Sequence, residues 1–161
     1  MGGNWQVFVD LDGVLADFDL GVRRICGALP DELEPAAMWR AIAHARGFYE
    51  HLAWMSDGRA LWGKVKEVSP IILTGLPRGN WAEAQKRAWC ARELGPDVPV
   101  ITCLSRNKHL EAKAACAQEQ IPVLIDDRYG LKDAWENIGG IFVHHSATVE
   151  TIARLGELGI L

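Results

Sequence analysis

Val7-Phe8-Val9-Asp10-Leu11-Asp12-Gly13-Val14 decides how the chain reads. Three apolar residues, two of them β-branched, run straight into an Asp-x-Asp-Gly turn. A short run apolar on both faces is the pattern of a strand covered on both sides, as in a parallel sheet packed between helices. Four more runs of this kind follow: Ile71-Ile72-Leu73, Val98-Pro99-Val100-Ile101, Pro122-Val123-Leu124-Ile125 and Gly140-Ile141-Phe142-Val143. Amphipathic stretches separate them. Asn80 with Glu83 three residues on is expected to form a capping box, and Gly95 to close that helix. Further helices are expected after Lys108, over Leu131–Asn137 and from Thr148 to Leu158. Strands alternating with helices predict βαβ units, hence an α/β fold with a five-stranded parallel sheet flanked by helices.

About sixty residues separate the first two strands, too many for one crossover helix. Leu15–Gly27, Glu34–Arg46 and Ser56–Glu67 all read as helical, with Pro35 suited to a first turn. The expected organisation is a core of residues 1–17 and 68–161 with a small helical cap, 18–67, inserted after strand one.

Composition narrows the classes. The 161 residues are 49% hydrophobic and 24% charged, with a net charge of −4. These are globular values, and an acidic balance is poor for gripping a nucleic-acid polymer. Cys26, Cys90, Cys103 and Cys116 form no Cys-x-x-Cys or zinc spacing, so free thiols in a reducing cytoplasm are expected. Met1–Gln6 lacks a basic leader with an apolar run, and Gln6 spoils a myristoylation signal at Gly2. No membrane span is expected.

In an open parallel sheet, ligands bind beyond the carboxyl ends of the strands. Strand one ends there in Asp10-Leu11-Asp12-Gly13, strand two in Thr74-Gly75, and strand four in Asp126-Asp127-Arg128. Strand three leads into Ser105-Arg106-Asn107-Lys108. Any one of these Asp residues alone would read as a turn or helix cap. Four carboxylates converging from separate strands repel unless a cation neutralises them, and oxygen ligands select a hard divalent ion, with Mg²⁺ expected. His144-His145, adjacent on a strand, point to opposite faces and read as structural.

These residues resemble a known family. Asp10-Leu11-Asp12-Gly13-Val14 is similar to motif I of the haloacid dehalogenase superfamily, Thr74 to its motif II and Asp126-Asp127 to its motif IV. Within it, the 5′(3′)-deoxyribonucleotidases are nearest. They share the string Asp10 to Phe18, Gly47-Phe48-Tyr49, Lys86-x-Ala88-Trp89 with Gly95-Pro96-Asp97, and Leu124 to Arg128. The chain departs from them at Gly75, where they carry Ser, and in a longer helix between strands three and four.

The resemblance implies a cytoplasmic Mg²⁺-dependent phosphomonoesterase. Asp10 would attack phosphorus and Asp12 would handle the leaving-group proton. Thr74 and the backbone at Gly75 would bind phosphate. Asp10, Asp126 and the backbone carbonyl of Asp12 would hold the metal, with Asp127 and Arg128 around them. Arg128 is expected to ion-pair with Asp126 or Asp127. Two lysines compete to neutralise the phosphate: Lys108 sits where most of the superfamily places that lysine, and Lys86 lies in the nucleotidase-like stretch. Lys86 is preferred, with Lys108 as a second cation or a partner of Asp127. A nucleoside monophosphate is the expected substrate. A phosphatase of another metabolite, a mutase-like phosphoryl transferase and a non-catalytic binding module remain as alternatives, and homodimerisation stays open.

Overall fold

A computed structural model describes residues 3–161; Gly2 lies outside them. Five strands, β1 (Trp5–Val9), β2 (Ile71–Gly75), β3 (Val100–Cys103), β4 (Ile121–Asp126) and β5 (Ile141–His144), form one parallel sheet in the order β3-β2-β1-β4-β5. Val9 pairs with Ile72 on one side and Ile125 on the other. The alternation of strand side chains splits the core in two. Val7, Val9, Ile72, Val123 and Ile125 face one layer with Trp89 and Leu155. Phe8, Leu73, Leu124 and Phe142 face the other with Ala112 and Trp135. The covering helices are α4 (Glu83–Glu93) and α7 (Thr148–Glu157) on the first face, α5 (Lys108–Ala115) and α6 (Lys132–Asn137) on the second. This is the expected α/β architecture, built on two buried faces. No helix among the described residues is long and apolar enough to cross a membrane.

The helix starts differ locally from expectation. Asn80 does not cap α4: the N-cap position is Ala82, with no side-chain bond. Glu83 instead accepts from Thr102 Oγ1 and Arg87, because β3 runs close enough to compete for it. Strand β3 begins at Val100, past Pro99, which has no N–H to give a ladder.

Between β1 and β2 lie α1 (Phe18–Cys26), α2 (Pro35–His44) and α3 (Gly58–Val65). Asp17 Oδ1 accepts from Leu20 N at 3.0 Å to start α1, and Gly27 (φ 79°) ends it. Glu34 accepts from Ala36 N and Ala37 N to start α2. Helix α3 rests on α7, tied by Thr148 N donating to Asp57 Oδ2 at 2.8 Å. The segment before α3 docks on α4, where Trp89 Nε1 donates to Leu52 O and Tyr49 N to Gln85 Oε1. These ties set Phe18, Trp39 and Tyr49 beside the strand ends.

Candidate active site

The chain reverses direction between β1 and β4, and two aspartates stand at that point. Asp10 follows β1, its N–H donating to Ile125 O at 2.9 Å, and Asp126 ends β4. The turn after Asp10 is tight: Leu11 O accepts from Leu15 N and Ala16 N, both at 2.9 Å. Gly13 takes φ 79°, a conformation that side chains resist, and any Cβ there would collide with Asp127 Oδ2. The glycine therefore lets Asp127 fold back over the turn. Carboxylate oxygens of Asp10, Asp126 and Asp127 all come within 4.8 Å of one another.

Two buried lysines divide the remaining charge. Lys108 Nζ donates to Asp10 Oδ1 and to Asp126 Oδ2, each at 2.7 Å. Burial opposes its charge, but the two carboxylates outweigh burial and hold its pKa above the usual lysine range. Lys86 Nζ donates to Asp12 Oδ2 at 2.7 Å, Thr74 Oγ1 at 3.0 Å and Gly75 O at 2.6 Å, and lies 4.4 Å from the Tyr49 ring centre. Its three N–H bonds are thereby used up. The second Asp12 oxygen, Oδ1, is buried with no partner among the described residues. Burial raises the Asp12 pKa, and Lys86 offsets part of that rise. Burial, then the Asp10 charge, raises Asp126. Loss of water around its carboxyl, then the charges of Asp10 and Asp126, raise Asp127.

Four carboxylates thus face two ammonium groups. A divalent cation fits this deficit, and the three clustered carboxylates offer it only hard oxygen donors. A cavity of about 490 Å³ opens over Asp10, Asp12, Lys108 and Asp127. Ser105 and Gly75 form part of its wall, and Phe18, Trp39 and Tyr49 another part. Tyr49 stacks on Phe18 and on Trp81, continuing the aromatic wall.

The structure brings together Asp10, Asp12, Thr74, Gly75, Lys86, Lys108, Asp126 and Asp127. Lys108 lines the cavity, and Lys86 binds Asp12, Thr74 and Gly75 beside it. Two expectations need correction. Lys108 pairs with Asp10 and Asp126 rather than Asp127, because Asp126 points inward at the strand end. Arg128 holds Asp126 through its backbone N–H at 2.9 Å, and its guanidinium forms no ion pair among the described residues. His145, buried and held by Thr151 Oγ1 at 2.7 Å, also reaches the cavity, where burial lowers its pKa.

Ser105 was not separable in the sequence from the helix start that follows it. A Cβ built on Gly75 would collide with Ser105 Oγ. The Ser105 hydroxyl therefore occupies the space that a side chain at position 75 would need, and the absent serine at 75 was the only signal of it.

No family model matches the chain, and no curated protein sequence matches it. Solved structures share its fold. A hydrolase from Streptococcus pneumoniae TIGR4 aligns over 95% of this chain and 99% of its own, at 11% identity and a TM-score of 0.54. A chain from the structure of a Pnkp1/Rnl/Hen1 complex aligns over 89% of this chain at 14% identity and a TM-score of 0.55. This chain spans 46% of that longer one.

Proposed function

We propose that the chain is a Mg²⁺-dependent phosphomonoesterase of the haloacid dehalogenase type. The observation that carries this reading is the setting of Asp10. It sits at the switch point of the sheet, neutralised by Lys108 and flanked by Asp126 and Asp127, with the unpartnered Asp12 Oδ1 two residues on. A lone buried carboxylate would be costly here; one placed to meet an anionic phosphate needs this cationic surround. The fold neighbour described as a hydrolase supports hydrolysis as the reaction class.

In this mechanism the Asp10 carboxylate attacks phosphorus and the bond to the leaving oxygen breaks. Asp12, its pKa raised by burial, gives its proton to that oxygen. Asp12 then takes a proton from water as the water attacks the aspartyl-phosphate, and free Asp10 and phosphate result. Thr74 Oγ1 and Ser105 Oγ orient phosphate oxygens, Lys108 neutralises them, and Lys86 holds Asp12 in place. Asp10, Asp126 and Asp127 would hold Mg²⁺, with the Asp12 backbone carbonyl as a further ligand implied by the family resemblance. When bound, the ion supplies positive charge where the transferring phosphoryl group needs it.

A nucleoside monophosphate suits the cavity, since Phe18 and Trp39 line it and offer aromatic surface for a base. Helices α1 and α2 would act as a cap that excludes water and reads the leaving group. Another small phosphomonoester with an apolar body would suit the same wall. The test is hydrolysis of p-nitrophenyl phosphate with Mg²⁺ and with EDTA, followed by a panel of nucleoside monophosphates. Turnover that requires Mg²⁺ is expected; no turnover of any phosphate ester contradicts the proposal.

A further inference from the structure

A second cavity, about 580 Å³, adjoins the first and shares Trp39, Leu76 and Pro77 with it. Its walls combine indole faces with charge of one sign. Trp39 and Trp81 line it, and Arg78 and Arg106 are its only charged residues. No Asp or Glu lines it, although the chain as a whole carries a net charge of −4. Several arginines elsewhere pair with a glutamate: Arg59 with Glu93, Arg87 with Glu83 and Arg154 with Glu157. Neither Arg78 nor Arg106 has a side-chain hydrogen bond or ion pair among the described residues. Arg78 comes from the loop after β2, the strand whose last residues are Thr74 and Gly75. Arg106 comes from the turn that supplies Ser105 and Lys108. Both therefore stand on the segments that position the phosphate site, on its outward side.

From this arrangement we infer that the groove is a second subsite for the leaving group, and that the substrate is a phosphomonoester bearing a planar or apolar body and a second phosphate. The body lies against Trp39 and Trp81, and the second phosphate takes the guanidinium forks of Arg78 and Arg106. Arginine suits this better than lysine, because its planar fork matches phosphate oxygens two at a time and can stack on an indole. Two guanidinia facing one groove match a doubly charged phosphate better than a carboxylate.

The inference rests on the phosphomonoesterase reading, and one experiment separates the two. The wild-type protein with Mg²⁺ is assayed on p-nitrophenyl phosphate, a nucleoside 5′-monophosphate and the matching nucleoside 3′,5′-bisphosphate. The quantity read is the ratio of kcat/KM for the bisphosphate to that for the monophosphate. A ratio of about ten or more is expected, since one good charge-assisted phosphate contact is worth about tenfold in affinity. In Arg78→Gln/Arg106→Gln the ratio should fall to about one, and in Arg78→Lys/Arg106→Lys it should recover only in part. Hydrolysis of the monoesters with a ratio near one in the wild type overturns the subsite alone, and so does a ratio unchanged in the double Gln variant. No hydrolysis of any ester overturns the phosphomonoesterase reading and the subsite with it.

Discussion

Lys108 Nζ lies 2.7 Å from Asp10 Oδ1, although 98 positions of chain separate the two residues. The contact joins the start of α5 to the end of β1, across the β3-β2-β1 half of the sheet. It also determines which lysine stands at the Asp10 carboxylate. Lys86, at the other side of the cleft, is committed to Asp12, Thr74 and Gly75.

The two lysines should therefore fail differently. Lys108→Ala should lower kcat on the order of 10²–10³-fold, like the loss of a preorganised donor at a developing charge. Lys86→Ala should cost mainly stability, roughly 1–3 kcal/mol, because it leaves the half-buried Asp12 and the buried Thr74 hydroxyl without their donor. It should also move the acid limb of the kcat profile to higher pH, since Lys86 holds the Asp12 pKa down. Parallel kinetics and thermal melts of both variants check this. A crippled Lys86→Ala beside a near-normal Lys108→Ala would reverse the assignment.

Gly13→Ala should damage both stability and turnover. The left-handed backbone costs a non-glycine residue roughly 1–3 kcal/mol, which is about 3–10 °C in Tm for a domain of this size. The new Cβ must also push Asp127 off the turn. A tenfold or greater rise in the Mg²⁺ concentration needed for half-maximal activity is expected, and a Mg²⁺ titration of the variant reads it.

The clustered carboxylates predict how metal-free stability depends on pH. Asp126 and Asp127 titrate above their ordinary value in the folded protein. Between the two values the folded state binds more protons than the unfolded one, so stability falls as pH rises through that window. Metal-free protein should melt lower at pH 7.5 than at pH 5.5. Added Mg²⁺ should raise Tm at pH 7.5 and much less at pH 5.5, where protons compete for the ligands. Differential scanning fluorimetry with and without EDTA reads both; a Mg²⁺ effect equal at the two pH values would contradict the metal assignment.

The sheet was legible because each strand is a continuous apolar run ended by a polar turn, and burial on both faces requires that pattern. Asp10, Thr74 and Asp126 could be placed from strand ends alone. The pairing of the lysines could not, because it depends on strand order and on the phase of α4, which turns Lys86 inward against Thr74. Asn80 misled as a cap because β3 offers Glu83 better partners than a helix start does. The aromatic segment Gly47–Tyr49 was visible as a feature, yet the docking on α4 decides that Tyr49 lines the cavity while Phe48 packs behind it. Ser105 could be placed at a strand end but given no role, because its significance lies in the space left by Gly75, a relation between two strands' ends rather than within one motif.

Covalent catalysis at Asp10 is the central claim, and trapping the intermediate tests it most directly. Asp12→Asn slows proton transfer to and from water, so the phosphorylated enzyme should accumulate. Incubation with a ³²P-labelled phosphomonoester and Mg²⁺, an acid quench and peptide mapping should then find hydroxylamine-labile label on the peptide carrying Asp10, and none in Asp10→Asn/Asp12→Asn. Turnover of the labelled ester by the wild type with no label on that peptide, in either the wild type or Asp12→Asn, would contradict the account.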